Sequence, residues 1–504
     1  MTRFAVLPTS LAALLATAAS AAPVAPVVAI DTGNVAGERT ADGRLLFRGI
    51  PFAAPPVGPL RFRPPAPARA WTGIRQATAS APACAQLSDG WNKANADYSA
   101  EDCLYLEVGT PALHPTAPLP VLVWIHGGSN KAGGGAGTIQ SSLVKRGMVV
   151  VSIQYRLGPL GFMAHPALTA ESGTHTSGNY GLMDQQAALR WVRRNVAAFG
   201  GDPARVTIAG ESAGGQDVGL HQLAPQSAGL FARAIEESGT AGFGWPARDL
   251  RTSEGIGEEI AALAGVPHAD AAALRRLPAT RLLEAARHIR TPAGLPEPGT
   301  VWLQTTVDGQ VITEPPATML ARGGGARVPL LIGSNTREIP FYETAGVARA
   351  ALIQAFGDYP AAAVYDLADG ARPMDDLTFG PATLRAATDV VFTCPAALVA
   401  AERTAAGVPV WHYAFGYAPA GSAVAHASEV RFVFGAPGED GIPADAAPLQ
   451  AYWTNFIRTG DPNGPGLARW PDYGTARQSL VFGAGAPHIA DDLRARPCHW
   501  ARYP

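Results

Sequence analysis

The chain has 504 residues, a formal net charge of −2, and 47% hydrophobic against 16% charged residues. That balance belongs to a folded globular protein and excludes a disordered one. The near-neutral charge, without a dense basic cluster, excludes a nucleic-acid binder.

The N-terminus has the layout of a signal peptide. Arg3 gives a positive start, Phe4 to Ala19 carries no charge, and Ala19-Ser20-Ala21 offers small residues for cleavage. Residues 1–21 are therefore expected to be removed, leaving 22–504 as an exported chain, periplasmic or secreted. The apolar run is short for a membrane span, which needs about 20 apolar residues, so no stable anchor is expected after cleavage. Cys84, Cys103, Cys394 and Cys498 are even in number, as suits disulfides in an exported chain. Four cysteines allow three pairings, of which sequence proximity favours Cys84–Cys103 with Cys394–Cys498. None has metal-ligand spacing, and no metal is expected.

Residues 45–75 are rich in Pro and Arg and read as an irregular surface segment. Short apolar runs follow at Val121–Ile125, Met148–Ile153 and Arg205–Ala209. Runs without polar alternation suit strands buried on both faces of a parallel sheet. Between the second and third, Leu182, Leu189, Val192, Val196 and Phe199 recur at helical spacing, and Gly200-Gly201-Asp202-Pro203 stops the helix. Strand, helix and strand in that order make a right-handed βαβ unit. Further strands are expected at Val328–Ile332 and Val408–Phe415. Residues 245–300 and 342–390 read as helical excursions above the sheet. No linker or repeat divides the chain, so 22–504 reads as a single α/β domain.

Gly210-Glu211-Ser212-Ala213-Gly214 has the form Gly-x-Ser-x-Gly. It follows a predicted strand and opens a predicted helix, the context in which small residues permit a sharp turn and leave the serine hydroxyl exposed. A serine hydroxyl is a weak nucleophile without a base, and a histidine base needs an acid to hold its tautomer.

These segments together resemble the type B carboxylesterases, a family that includes the cholinesterases and p-nitrobenzyl esterases. The resemblance covers nearly all of the mature chain. It is carried by Phe47-Arg48-Gly49-Ile50-Pro51-Phe52-Ala53, Glu101-Asp102-Cys103-Leu104-Tyr105-Leu106, Tyr155-Arg156-Leu157-Gly158, Gly178-Asn179-Tyr180-Gly181-Leu182, Phe199 to Pro203, Gly210 to Gly214, and Gly460-Asp461-Pro462-Asn463 with Trp470-Pro471.

The resemblance implies an α/β-hydrolase fold: a large, mostly parallel sheet flanked by helices, with helical excursions over the active site. It implies Ser212 as nucleophile, Glu338 in Gly333-Ser334-Asn335-Thr336-Arg337-Glu338-Ile339 as acid, and His426 in His426-Ala427-Ser428-Glu429 as base. His412, in a strand pattern, reads as a core residue, and His488 and His499 lie in the tail. The oxyanion hole is implied at the Gly128, Ser129 and Ala213 amides, with Glu211 and Ser238 as supporting residues. The family pairing matches Cys84–Cys103 and Cys394–Cys498. The implied reaction is hydrolysis of a small-molecule carboxylic ester, with no cofactor. Cleavage of a lactone, thioester, amide or polyester by the same triad is one alternative, and a non-catalytic adhesion domain is another. Four departures from the family pattern bear on substrate and pH optimum: Asn130 for an aromatic, Arg337 for an acid, Ile339 for a glycine and Arg431 for a proline.

Overall fold

Val121 to Ile125 carries the logic of the fold. Val121, Val123 and Ile125 join an apolar cluster with Leu189, Val192 and Phe199, while Leu122 and Trp124 join another with Trp453 and Phe456. Successive side chains point to opposite faces of a strand, so a run apolar at every position requires cover on both. Helices supply it. The structure, a computed structural model, describes residues 25–241, 247–289, 298–339, 380, 382–439, 441–494 and 498. The signal-peptide reading, most of the 342–390 excursion and His499 fall outside those residues.

The main sheet has eleven strands. In chain order they are β1 (Glu38–Arg39), β2 (Leu45–Pro51), β3 (Tyr105–Thr110), β4 (Leu119–Ile125), β5 (Val149–Ile153), β6 (Gly201–Glu211), β7 (Arg233–Glu237), β8 (Leu330–Asn335), β9 (Val410–Phe415), β10 (Gln478–Phe482) and β11 (His488–Asp491). In space the order is β11-β10-β9-β8-β7-β6-β4-β5-β3-β2-β1. The centre, from β10 across to β5, is parallel, and both edges are antiparallel. Helix α1 (Tyr180–Asn195) connects β5 to β6 across β4, as the βαβ reading requires. A short 3-10 turn and a left-handed Gly200 end it.

Part of the 45–75 expectation is wrong. Leu45–Pro51 is a buried strand of the main sheet, paired with β3. Its pattern was masked by a register shift between Phe47 and Ile50, where Gly49 turns left-handed at φ 64°. The bulge places two residues without regular pairing inside an otherwise apolar run. The predicted central strands are all present, with boundaries shifted by a few residues.

Above the sheet, α2 (Ala213–Leu223) follows β6 directly. Helices α3 (Leu250–Leu263), α4 (Ala271–Arg276) and α5 (Ala279–Ala286) form the first excursion. Asp249 and Asp270 cap α3 and α4, accepting from the N–H groups of Thr252 at 2.7 Å and Ala273 at 2.6 Å. The excursion has its own apolar cluster, in which Ile260, Leu274 and Leu282 pack with Leu160 and Trp302. Disulfides join Cys84 to Cys103 and Cys394 to Cys498, each with Cα atoms 4.9 Å apart. No helix among the described residues is long and apolar enough to cross a membrane.

Candidate active site

Ser212 occupies the turn between β6 and α2, with φ 58° and ψ −124°. A non-glycine residue with positive φ is strained, and such strain persists only where surroundings enforce it. Here they do. A Cβ on Gly210 would meet the Gly214 backbone at 2.4 Å, and one on Gly214 would meet the Ile125 carbonyl at 2.0 Å. Two glycines therefore let helix, strand and neighbouring strand meet at one corner. The Ser212 N–H donates to the Glu237 carbonyl at 2.8 Å, tying the corner to β7.

The segment after β4 lies against this corner. A Cβ on Gly127 would sit 3.0 Å from Ser212 Cβ. Gly128, Ser129 and Asn130 follow with φ of 112°, 55° and 53°. Among the described residues the Gly128 and Ser129 amides find no intramolecular acceptor, and Ala213 is the first residue of α2, where helix N–H groups lack intrahelical acceptors. The segment carrying Gly128 and Ser129 thus begins against the serine, and Ala213 follows it directly in the chain.

His426 and Glu338 meet as expected. His426 Nδ1 lies 2.5 Å from Glu338 Oε2. The Asn335 N–H donates to Glu338 Oε1 at 2.7 Å, and the Glu338 N–H donates to Thr388 Oγ1 at 3.1 Å. The other ring nitrogen, Nε2, lies 3.1 Å from Glu211 Oε1, an ion-pair distance without hydrogen-bond alignment. Because Glu211 precedes Ser212, that contact sets the imidazole beside the nucleophile's corner.

Three further carboxylates crowd the same space, and the sequence reading singled out only Glu211. Glu429 accepts from Ser238 Oγ at 2.8 Å and from Asn335 Nδ2 at 2.6 Å. Glu237 accepts from Trp453 Nε1 at 2.7 Å. Burial pushes Glu211 up to about 8 and Glu429 up to about 7, and raises Glu237 well above the carboxylate range. Burial lowers His426, but the Glu211 and Glu338 carboxylates outweigh it and push the imidazole up to about 9. Glu429 had a local signal, three residues after His426. Glu237 had none beyond its place at the end of β7.

Asn130 does not stand as an open replacement for an aromatic wall. It is buried, donating through Nδ2 to Asp217 at 3.2 Å and accepting from the Tyr155 hydroxyl at 3.2 Å. Asp217 in turn accepts from Gln185, whose carbonyl lies 2.7 Å from His221 Nε2. A buried polar chain therefore backs the segment after β4. Arg431 points outward, with Nη2 donating to the Gly441 carbonyl at 3.1 Å. His412 is a buried strand residue 2.8 Å from Ser479 Oγ, as expected of a core histidine, and His488 lies on the outer strand β11. Ser238 has φ 47° and lies in the Glu429 network. Among the described residues no group of three or more His, Cys, Asp or Glu side chains could hold a metal.

A strand–serine–helix elbow, a histidine–glutamate pair and unpaired backbone donors on a mostly parallel sheet define a serine hydrolase of the α/β-hydrolase class. The chain belongs to the carboxylesterase family, whose sequence profile matches residues 24–500, and it is a carboxylic ester hydrolase. It is 35% identical over 494 residues to liver carboxylesterase 1 of Oryctolagus cuniculus, covering 87% of this chain and 85% of that one. It is 35% identical over 468 residues to fumonisin B1 esterase of Sphingopyxis macrogoltabida, covering 87% and 83%. The fold superposes on a PNB esterase with a TM-score of 0.81 and 30% identity, covering 95% of this chain and all of that one. A carboxylesterase of Geobacillus stearothermophilus gives 0.78 and 32%, covering 94% and all of the other chain.

Proposed function

We propose that Ser212, His426 and Glu338 are the nucleophile, base and acid of this ester hydrolase, acting through an acyl-enzyme. The observation that carries the assignment is the His426 contact set: Nδ1 held at 2.5 Å by Glu338 and Nε2 brought to the residue preceding Ser212. Glu338 fixes the tautomer, leaving Nε2 to take the Ser212 proton as its oxygen attacks the ester carbonyl. The Gly128, Ser129 and Ala213 amides stabilise the oxyanion. His426 then protonates the departing alcohol, and a water activated by the same imidazole releases the acid. Glu211 and Ser238 support the charge distribution around the imidazole. The substrate is a small-molecule ester. We also propose that residues 1–21 are a cleaved signal peptide, that 22–504 is a single domain, and that the enzyme works in the periplasm or outside the cell. Two disulfides support export, since they persist in oxidising compartments.

Hydrolysis of p-nitrophenyl esters from C2 to C12 by the mature protein and its Ser212→Ala variant tests the triad. Turnover should fall by roughly 10⁴- to 10⁶-fold in the variant while its fold is retained. Wild-type-like turnover in folded Ser212→Ala protein would remove Ser212 from the mechanism.

A further inference from the structure

Gly128, Ser129 and Asn130 are consecutive residues with positive φ, and two of them are not glycine. Backbone strain of that kind persists only where the surroundings enforce it. Asparagine tolerates the left-handed region when its short amide finds a bond. Asn130 is 1% exposed, and both ends of its amide are held. Nδ2 donates to Asp217 Oδ1 at 3.2 Å, and Oδ1 lies 3.2 Å from the Tyr155 hydroxyl. Its backbone carbonyl accepts from the Gly158 N–H at 2.6 Å. The Tyr155 hydroxyl also donates to the His126 carbonyl at 2.7 Å, so one phenol holds both ends of the segment 126–130. Between those ends the Gly128 and Ser129 amides have no intramolecular acceptor among the described residues.

Asp217 is the end point of a directed chain. Ser227 Oγ lies 2.9 Å from His221 Nδ1, and His221 Nε2 lies 2.7 Å from the Gln185 side-chain carbonyl. Burial lowers His221 to about 3, so the ring is neutral and has one N–H to give. Nε2 faces a carbonyl and so carries that proton. Gln185 Nε2 donates in turn to Asp217 Oδ2, and Asn130 donates to the other oxygen. An ionised carboxylate only accepts, so Asp217 fixes which way each amide points. Burial pushes Asp217 up to about 7, against the bonds from Gln185 and Asn130, and above that pH it is ionised. Asp217 lies on α2 four residues after Ala213, on the same helix face.

We propose that Asn130 is a positioning residue for the ester hydrolysis: through Asp217 it ties the Gly128 and Ser129 amides to the helix that begins at Ala213, and so sets the spacing of the three donors. The inference rests on the reading of those amides as the oxyanion hole. Such donors act by preorganisation, and a misplacement of about 1 Å costs about 10²-fold in rate. Asn130 stands where the family resemblance expects an aromatic, which lacks the amide that makes both bonds.

The test is stopped-flow acylation by p-nitrophenyl butyrate at about pH 9, where Asp217 is ionised, with rates normalised to the burst amplitude, which counts active sites. Asn130→Gly keeps positive φ accessible and deletes the amide, so it removes the tie without adding strain. Its acylation rate constant should fall roughly 10- to 100-fold, while the substrate dissociation constant from the same saturation curve changes by less than about threefold. The inhibition constant of a trifluoromethyl ketone, whose adduct carries the oxyanion, should rise by the same factor as the rate falls. A purely structural role would lower the burst amplitude or the melting temperature and leave the rate per site unmoved. Asp217→Ala should match Asn130→Gly, and the double variant should lose no more than either, because the two residues act as one unit. Asp217→Asn, which keeps the shape and one acceptor, should retain part of the rate. A rate per site within about twofold of wild type in Asn130→Gly, or losses that multiply in the double variant, overturns the proposal. Should Asn130→Gly not fold, Asp217→Asn decides: a several-fold loss at an unchanged dissociation constant supports the tie, and a wild-type rate overturns it. Failure of the oxyanion reading is distinct, since Gly128→Ala would then acylate at the wild-type rate, and failure of the triad reading would show as full turnover by Ser212→Ala.

Discussion

Replacing Glu211 with glutamine should shift the acid limb of the pH–rate profile downward. As the proposed base, His426 must be neutral to accept the serine proton, and its neighbours raise it to about 9. The active form is therefore lost as pH falls through that value, well above the ordinary 6.5 of an imidazole. Glu211 Oε1 stands 3.1 Å from His426 Nε2. Unit charges about 4 Å apart interact by about 4 kcal/mol at an effective dielectric of about 20, or about 3 pKa units. Burial holds Glu211 itself up to about 8, so it is mostly charged where His426 begins to titrate and loses that charge as pH falls further. The two groups titrate as a pair, and the observable shift is a fraction of the full value, roughly 1–2 units. Glu338 and Glu429 remain in the Glu211→Gln variant and keep the imidazole raised. The assay is kcat/KM for a neutral p-nitrophenyl ester across pH, with buffer blanks subtracted, because this parameter reports the free enzyme. A wild-type limb at or below 6.5, or an unmoved limb in Glu211→Gln, would refute the electrostatic account.

Two further outcomes follow from local geometry. Gly128→Ala should lower kcat by about 10²- to 10³-fold, the usual effect of losing an oxyanion donor, because φ is 112° and the new Cβ would lie 2.2 Å from the Ala132 carbonyl; stopped-flow acylation rates equal to wild type would contradict it. Replacing both Cys84 and Cys103 with serine should reduce unfolding free energy by about 3 kcal/mol on the loop-entropy account, since the bridge closes a separation of 19 residues. Urea unfolding measures the change, and an unaltered midpoint and slope would rule out a stabilising role.

The sequence determined whatever depends on neighbours along the chain. The elbow at Ser212 follows from Gly210 and Gly214, because only residues without Cβ allow that corner. The central strands follow from apolar runs that tolerate no exposed face. Both disulfide pairings were legible through ordered motifs, and so was the meeting of His426 with Glu338. Leu45–Pro51 was missed because a bulge breaks the pattern that would have revealed it. Only the tertiary structure decided which distant groups share a space. Sheet order brings the ends of β6, β7 and β8 side by side, and so gathers Glu211, Glu237 and Asn335 beneath the segment carrying His426 and Glu429. That crowding raises the imidazole. The Asn130–Asp217 bond joins the segment after β4 to α2, and a small cavity lined by both residues and by Arg248 lies between them and the first excursion. Burial, pairing and charge at those places depend on through-space distance, which a linear pattern does not contain.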